Sequence, residues 1–314
     1  MTRTDSYSSQ SADPWTETRP QDAVNKTEMR PSWAKPVRRR RPGCCCSIIF
    51  FGGFLLLLLT LWVYAAAPGR TNILILGLDS REPGSNLGRS DTMILTTILP
   101  SEPYIGMLSM PRDLWVTIPN YGENRINAAH FLAEADQPGS GPIAAMDTVR
   151  TNFGVNVDYF VRVRFDSFLD LVDALGGVEI ELPRPMSGYS EGLHHLDGEQ
   201  ALAFVRDRAG SDDFFRMERG QIFLKVLVKR ILSISGLRTL PQTLGIISRM
   251  VDTDVPIWLW PRVGIAILRV GPDEIDNRII SREMVNPFTT EGGAQVLAPN
   301  WVEINPVLMD IFGQ

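Results

Sequence analysis

The rhythm of polar and apolar positions changes from segment to segment along this chain. Residues 44–67, CCCSIIFFGGFLLLLLTLWVYAAA, are almost wholly apolar and carry no charge. Residues 71–79, TNILILGLD, are a short, nearly unbroken apolar run, the pattern of a buried strand. Residues 92–99, TMILTTIL, predict a second strand and 104–110, YIGMLSM, a third, with PSEP as the turn between them. WVTIP continues that strand or adds another. GPIAAMDTVRTNFG has helical spacing and a stop at Gly154. VDYFVRVRF alternates, putting Tyr159, Val161, Val163 and Phe165 on one face. DSFLDLVDALGG predicts a short helix ending at Gly176, VEIEL a strand, and LDGEQALAFVR a helix with Asp197 as N-cap. LHHLDGE reads as the approach to that helix. Residues 213–233 predict a long helix with one apolar face. Another helix follows Gly236, then strand-like pieces and GGAQVLAPNWVEINPVL. Strands and helices interleave without a strict βαβ period and without repeats. The fold class this implies is α/β, a mixed central sheet flanked by helices.

The charge-free run changes the picture outside that domain. As a helix it would span about 36 Å, enough for the ~30 Å hydrocarbon core of a bilayer. Arg38 to Arg41 precede it, and a positive flank stays cytoplasmic. The expectation is a single-pass membrane protein with its N-terminus in the cytoplasm and its C-terminal domain outside. A cleaved signal peptide is the rival, but the leader is long and its apolar core exceeds the usual length of about 7–15 residues. Residues 1–36, rich in Ser, Thr, Gln, Asp and Pro, read as a disordered tail. The domain reading is therefore 1–43 tail, 44–67 transmembrane helix, 68–235 extracytoplasmic core, and 236–314 its continuation.

Composition excludes several chemistries. The 314 residues allow one large domain or two modest ones. Nine Lys/Arg and five Asp/Glu fall in residues 1–43, so the rest of the chain is acidic within a formal net charge of −5. An acidic body argues against nucleic acid as a partner, which needs a broad basic surface. Cys44, Cys45 and Cys46 are the only cysteines, so residues 47–314 hold no disulfide, thiol nucleophile or Cys-based metal site. The histidines, His130, His194 and His195, lack zinc-ligand spacing.

Charged residues gather instead where the strands turn. If strands 71–79 and 92–99 are neighbours, Asp79 leaves the first where Asp91 enters the second. The tight turn at 100–103 sends 104–110 back, delivering Arg112 to the same edge, with Arg81 and Arg89 in the intervening loop. Taken singly, these residues could be plain salt bridges. Taken together, two carboxylates suit a hard cation such as Mg²⁺, and the arginines suit phosphate charge. FVRDRAGSDDFFRMERG, residues 204–220, adds Arg206, Arg208, Arg216 and Arg219 among four acids.

The ordered blocks ILILGLDSR, GRSDTMIL, LSMPRDLWVTIP, NRINAAH, DYFVRVRFDSFLDLVDALGGVEIEL, GLHHLDGEQALAFVRDR and DFFRMERGQ resemble the LytR–CpsA–Psr family of bacterial cell-wall ligases over residues 71 to 233. The resemblance implies a phosphotransferase that moves an anionic glycopolymer from a polyprenyl-pyrophosphate carrier to the 6-hydroxyl of muramic acid in peptidoglycan. Its partners would be the lipid-linked glycan, peptidoglycan and the membrane, with no nucleic acid. By position Asp79 and Asp91 would hold Mg²⁺ (or Mn²⁺). Asp91, Arg89 and Arg112 would be catalytic. Arg89, Arg112, Arg125, Arg206, Arg208, Asp213 and Arg216 would line the pyrophosphate site, and an aliphatic pocket would take the prenyl chain. Two alternatives stay open: a non-catalytic protein that binds lipid-linked polymer, and a pyrophosphatase acting on the same lipid. The chain departs from the family pattern at Gly220, where Gln is usual after Arg219, and at His130, a place often held by an aromatic. Either a helix irregularity returns Gln221 to the site, or that contact is missing.

Overall fold

The structure, a computed structural model, describes residues 44–66, 69–78, 85–100, 102–207 and 213–313. Helix α1 (Cys44–Ala66) is followed by strands β1 (Thr71–Leu78), β2 (Ser90–Leu99), β3 (Tyr104–Met110), β4 (Trp115–Ile118) and β5 (Gly122–Arg125). Next come α2 (Ala128–Asp136), α3 (Gly141–Phe153), β6 (Tyr159–Arg164), α4 (Phe168–Ala174), β7 (Val178–Leu182), β8 (Gly192–Leu196), α5 (Gly198–Arg206), α6 (Asp213–Leu232) and α7 (Ile234–Met250). The chain closes with β9 (Val251–Thr253), α8 (Trp260–Val270), β10 (Asp276–Ile279), β11 (Val285–Thr289), β12 (Gln295–Pro299) and α9 (Trp301–Phe312).

Six strands form one mixed sheet in the order β10-β3-β2-β1-β6-β9. The β1–β2, β2–β3 and β6–β9 pairs are antiparallel, and β1–β6 and β3–β10 are parallel. The carboxyl ends of β1, β3, β6 and β10 therefore share one edge with the start of β2. The near-continuous apolar runs of β1 to β3 follow from cover on both faces. Leu74, Leu76, Leu95 and Leu108 pack on one side with Met146 and Val149 of α3 and Ile304 and Leu308 of α9. Ile73, Ile94, Ile98 and Met107 pack on the other with Ala266 of α8 and Leu224 of α6. A second cluster joins α4, α5 and α7 to the β7–β8 hairpin around Phe204.

Caps follow the sequence signals. Gly154 takes the left-handed conformation that ends α3, at φ 70°. Asp197 caps α5 in a full capping box with Gln200. The stretch read as an approach to α5 is instead strand β8, whose His194 and His195 pair opposite Ile180 and Glu179. WVTIP is a separate strand, β4, paired with β5. Helix α9 lay hidden because Pro306 interrupts its helical pattern.

Helix α1 is 23 residues long and bears no charged residue. Among the described residues, no helix is long and apolar enough to cross a membrane.

Candidate functional site

The strand-end edge is built around a fault in the ladder. Gly77 pairs with Thr92, but Leu78 pairs with Ser90, so Asp91 is left without a partner in β1. This is a bulge, which lifts a residue out of the pleat and re-aims its side chain. Gly77 permits it by close approach: a Cβ there would lie 2.9 Å from that of Thr92. Two arginines hold the bulged residue. Arg112, two residues beyond β3, donates from Nη1 to Asp91 Oδ1 at 3.1 Å. Arg216, in the first turn of α6, donates from Nη2 to the Asp91 carbonyl at 3.2 Å. The strand-length argument thus brings Asp91 and Arg112 together as expected.

The cluster extends through a residue the sequence reading missed. Asp113 pairs with Arg112 Nε at 3.5 Å and with Arg125 Nε at 3.1 Å. Arg125 also donates from Nη2 to the Gln295 carbonyl at 2.9 Å. Arg89 precedes the bulge by two positions and is exposed, as is Arg206 at the end of α5. Arg112 and Asp91 keep 27% and 21% of their side-chain surface, so the pair is open to water and to a ligand. Asp79, Arg81 and Arg208 lie outside the described residues, as does the side chain of Asp213, the first residue of α6. Beside Asp91, the buried Ser90 Oγ has no hydrogen-bond partner in the structure.

Gln221 does not return to this cluster. Helix α6 runs without interruption through Gly220, and the Gln221 amide donates to Ser109 Oγ at 2.9 Å and to the Arg278 carbonyl at 2.7 Å. It ties α6 to β3 and β10. Arg219 is buried and donates to the carbonyl of Asp207, the residue after α5. Burial draws its pKa down.

A second charged group supports the loop from beneath. His130, fully buried on α2, bonds through Nδ1 to the Gly88 carbonyl at 3.0 Å. Its Nε2 lies 3.3 Å from Arg162 Nη1. A donating Nδ1 leaves Nε2 to accept from the guanidinium, so the ring is neutral. Burial first, and then Arg162, lower its pKa. Arg162 also pairs with Glu134 Oε2 at 3.2 Å and with Asp252. The alternation of β6 predicted an apolar face and overlooked this arginine on the opposite one.

An apolar cavity of about 160 Å³ lies between the sheet and helices α6 and α8. Ile73, Ile98, Met107, Leu224, Val263 and Ile267 line it. Val263 and Ile267 are four apart on α8 and so face the cavity together.

The described residues thus form an α/β protein with a mixed sheet, basic side chains along its strand ends and an apolar cavity against one face. The chain superposes on solved structures of that shape. B. subtilis TagV matches with a TM-score of 0.63 at 24% identity, over 78% of this chain and 98% of that one. A structure of TagT bound to LIIa-WTA matches with a TM-score of 0.61 at 22% identity, over 80% and 93%. The chain belongs to the LytR_cpsA_psr family, whose profile matches residues 62–300. Among its relatives is the polyisoprenyl-teichoic acid–peptidoglycan teichoic acid transferase TagU of Oceanobacillus iheyensis, 36% identical over 190 residues. That alignment covers 59% of this chain and 58% of the relative. The regulatory protein MsrR of Staphylococcus aureus (strain COL) is 30% identical over 196 residues, 60% of this chain and 57% of the relative. The chain thus spans somewhat over half the length of these relatives.

Proposed function

We propose that this chain is a membrane-anchored phosphotransferase. It would move an anionic glycopolymer from a polyprenyl-pyrophosphate carrier to the 6-hydroxyl of peptidoglycan muramic acid. The observation that carries the reading is the span of α6. Its first turn brings Arg216 to Asp91. Leu224, two turns and about 12 Å further along the axis, walls the apolar cavity. A lipid pyrophosphate needs such a pairing: a charged socket for the head and a dry cavity for the chain. The named TagU relative supports the reaction class.

In this reading Arg89, Arg112, Arg125, Arg206, Arg208 and Arg216 take the pyrophosphate oxygens, for which the guanidinium fork is matched. The residues fit a hard divalent cation. Asp91 offers a part-exposed carboxylate, and Asp79 follows the last residue of β1, which pairs beside the bulge. Mg²⁺ or Mn²⁺ held there would supply charge neutralisation to the pyrophosphate. Arg112 fixes the Asp91 carboxylate, which orients the acceptor hydroxyl. The hydroxyl oxygen bonds to the glycan-side phosphorus. The bond from that phosphorus to the bridging oxygen breaks, polyprenyl phosphate leaves, and the hydroxyl proton passes to Asp91 or to water.

Two observations support the anchor. Helix α1 carries no charge, and the Tyr64 hydroxyl near its end donates to the Trp258 carbonyl at 2.9 Å. Ile257, Trp258 and Trp260 around that contact are exposed, as suits residues at a membrane surface. In this reading the body lies outside the cytoplasm, against the outer leaflet, because the basic flank Arg38 to Arg41 stays inside. The name of MsrR favours a second reading, a regulatory protein that holds lipid-linked polymer without transferring it.

The test is reconstitution of the full chain in lipid vesicles with labelled lipid-linked glycan, Mg²⁺ and peptidoglycan. Covalent label on peptidoglycan is the expected result. Free phosphorylated glycan would assign a pyrophosphatase instead, and bound but unchanged lipid would assign the regulatory binder.

A further inference from the structure

A cleft of about 320 Å³ opens beside Arg216, small but within the ~300–1,000 Å³ of ligand pockets. Phe214 and Phe215, which precede Arg216 on α6, line it together with Glu218, Ser281, Arg282 and Glu283. It lies at the strand-end edge: β10 ends at Ile279, which pairs with Ser109 of β3, so Ser281 follows β10 as Arg112 follows β3. The Arg282 guanidinium stands 5.5 Å from the ring centre of Phe214 and 5.5 Å from that of Phe215. Arg184 stands 4.9 Å from Phe215 and pairs with Glu218. Ser281 Oγ is buried, with no hydrogen-bond partner among the described residues.

Charge decides what this cleft can hold. Among the described side chains lining and flanking the cleft, Arg184 and Arg282 are offset by Glu218 and Glu283, so these four groups carry no net charge. A neutral cleft is a poor place for another phosphate. Aromatic carbon beside planar donors and acceptors fits a neutral polyhydroxylated ring, with apolar C–H faces and hydroxyls at its rim. We propose that this cleft is a pyranose subsite, seating a sugar ring of the glycan that meets the pyrophosphate edge. It rests on the phosphotransferase reading and adds the residues that would distinguish a glycan from a bare lipid phosphate. The ring could belong to the donor glycan or to the acceptor strand.

The experiment measures binding by the full chain in nanodiscs. One pair of probes shares a prenyl length and pyrophosphate, with or without an N-acetylhexosamine disaccharide. The third probe is a soluble N-acetylglucosamine–N-acetylmuramic acid tetrasaccharide. Phe215→Ala and the exposed-site variant Arg282→Gln should weaken one sugar-bearing probe about tenfold, the size of one lost aromatic contact. Both should leave the sugar-free lipid within twofold. Loss on the disaccharide lipid assigns the donor ring, and loss on the tetrasaccharide assigns the acceptor ring. Equal weakening of all three probes, or of none, overturns the subsite. Phe215→Leu, which keeps apolar volume without the ring, must behave as Phe215→Ala. If the wild-type chain binds neither lipid, the phosphotransferase reading fails and the subsite fails with it. If the wild type prefers the disaccharide lipid, and the variants keep both that preference and full affinity for the tetrasaccharide, the subsite alone is wrong.

Discussion

Two groups of charges sit within a few residues of each other in this fold, and they are built on opposite principles. Beneath the loop, Arg162 and Glu134 keep only 4% and 5% of their side-chain surface, and His130 and Asp252 join them. At the strand-end edge, Arg112 and Asp91 keep 27% and 21%. The buried guanidinium faces two carboxylates and a neutral imidazole. At the edge, Arg112, Arg125 and Arg216 contact Asp91 or Asp113, among the described side chains. A buried charge has to be answered by the protein itself, because no water can reach it. The Arg112–Asp91 pair at the edge keeps part of its surface, so water reaches it. The first group holds the Gly88 carbonyl through His130, and the second keeps open surface.

The largest expected effect comes from breaking the buried group. Arg162→Met leaves Glu134 buried without its guanidinium, and should lower unfolding free energy by about 3–5 kcal/mol in urea titration. A cost below ~1 kcal/mol would erase the contrast. At the edge the balance reverses. Arg112→Ala should cost about 1 kcal/mol or less in the same titration. Glycan transfer should fall about 10²–10³-fold, the loss of one preorganised donor.

The buried group also predicts a pH dependence. The folded state holds His130 below its ordinary pKa, so the unfolded chain takes up that proton first. Its contribution to stability is present above about pH 6.5 and is lost as pH falls below that value toward the depressed folded pKa. His130→Asn should remove this part of the slope in melts between pH 7 and 5. An unchanged slope would mean that another group carries it.

How much of this could be read in the sequence divides along the same line. Strands β1 to β3 were legible because cover on both faces makes them continuous apolar runs. Their lengths alone brought Arg112 to Asp91. The bulge was not legible: Ser90, Asp91 and Thr92 look like any strand start, and only the pairing of Leu78 with Ser90 exposes the extra residue. Arg162 was passed over because alternation in β6 draws attention to the apolar face. Asp113 was hidden by its neighbour Arg112, and the cavity by the weak signal of single helix faces.

The smallest expected effect concerns Gly220. A Cβ there would meet nothing within 4 Å. It lies four residues from Arg216, on the same face of α6. Gly220→Gln should stabilise the helix by about 0.5 kcal/mol and leave the Gln221 bonds in place. If an amide at this position serves the edge, turnover should also rise. Stability gained without turnover would mean that the edge works as it stands.

The most direct test of the account is glycan transfer to peptidoglycan by Asp91→Asn, with Mg²⁺ present and thermal unfolding measured alongside. The account predicts product below about one hundredth of wild type. It also predicts a melting temperature within about 4 °C, because the edge contributes little to folding. Full transfer by the variant, or loss of transfer only through unfolding, would contradict it.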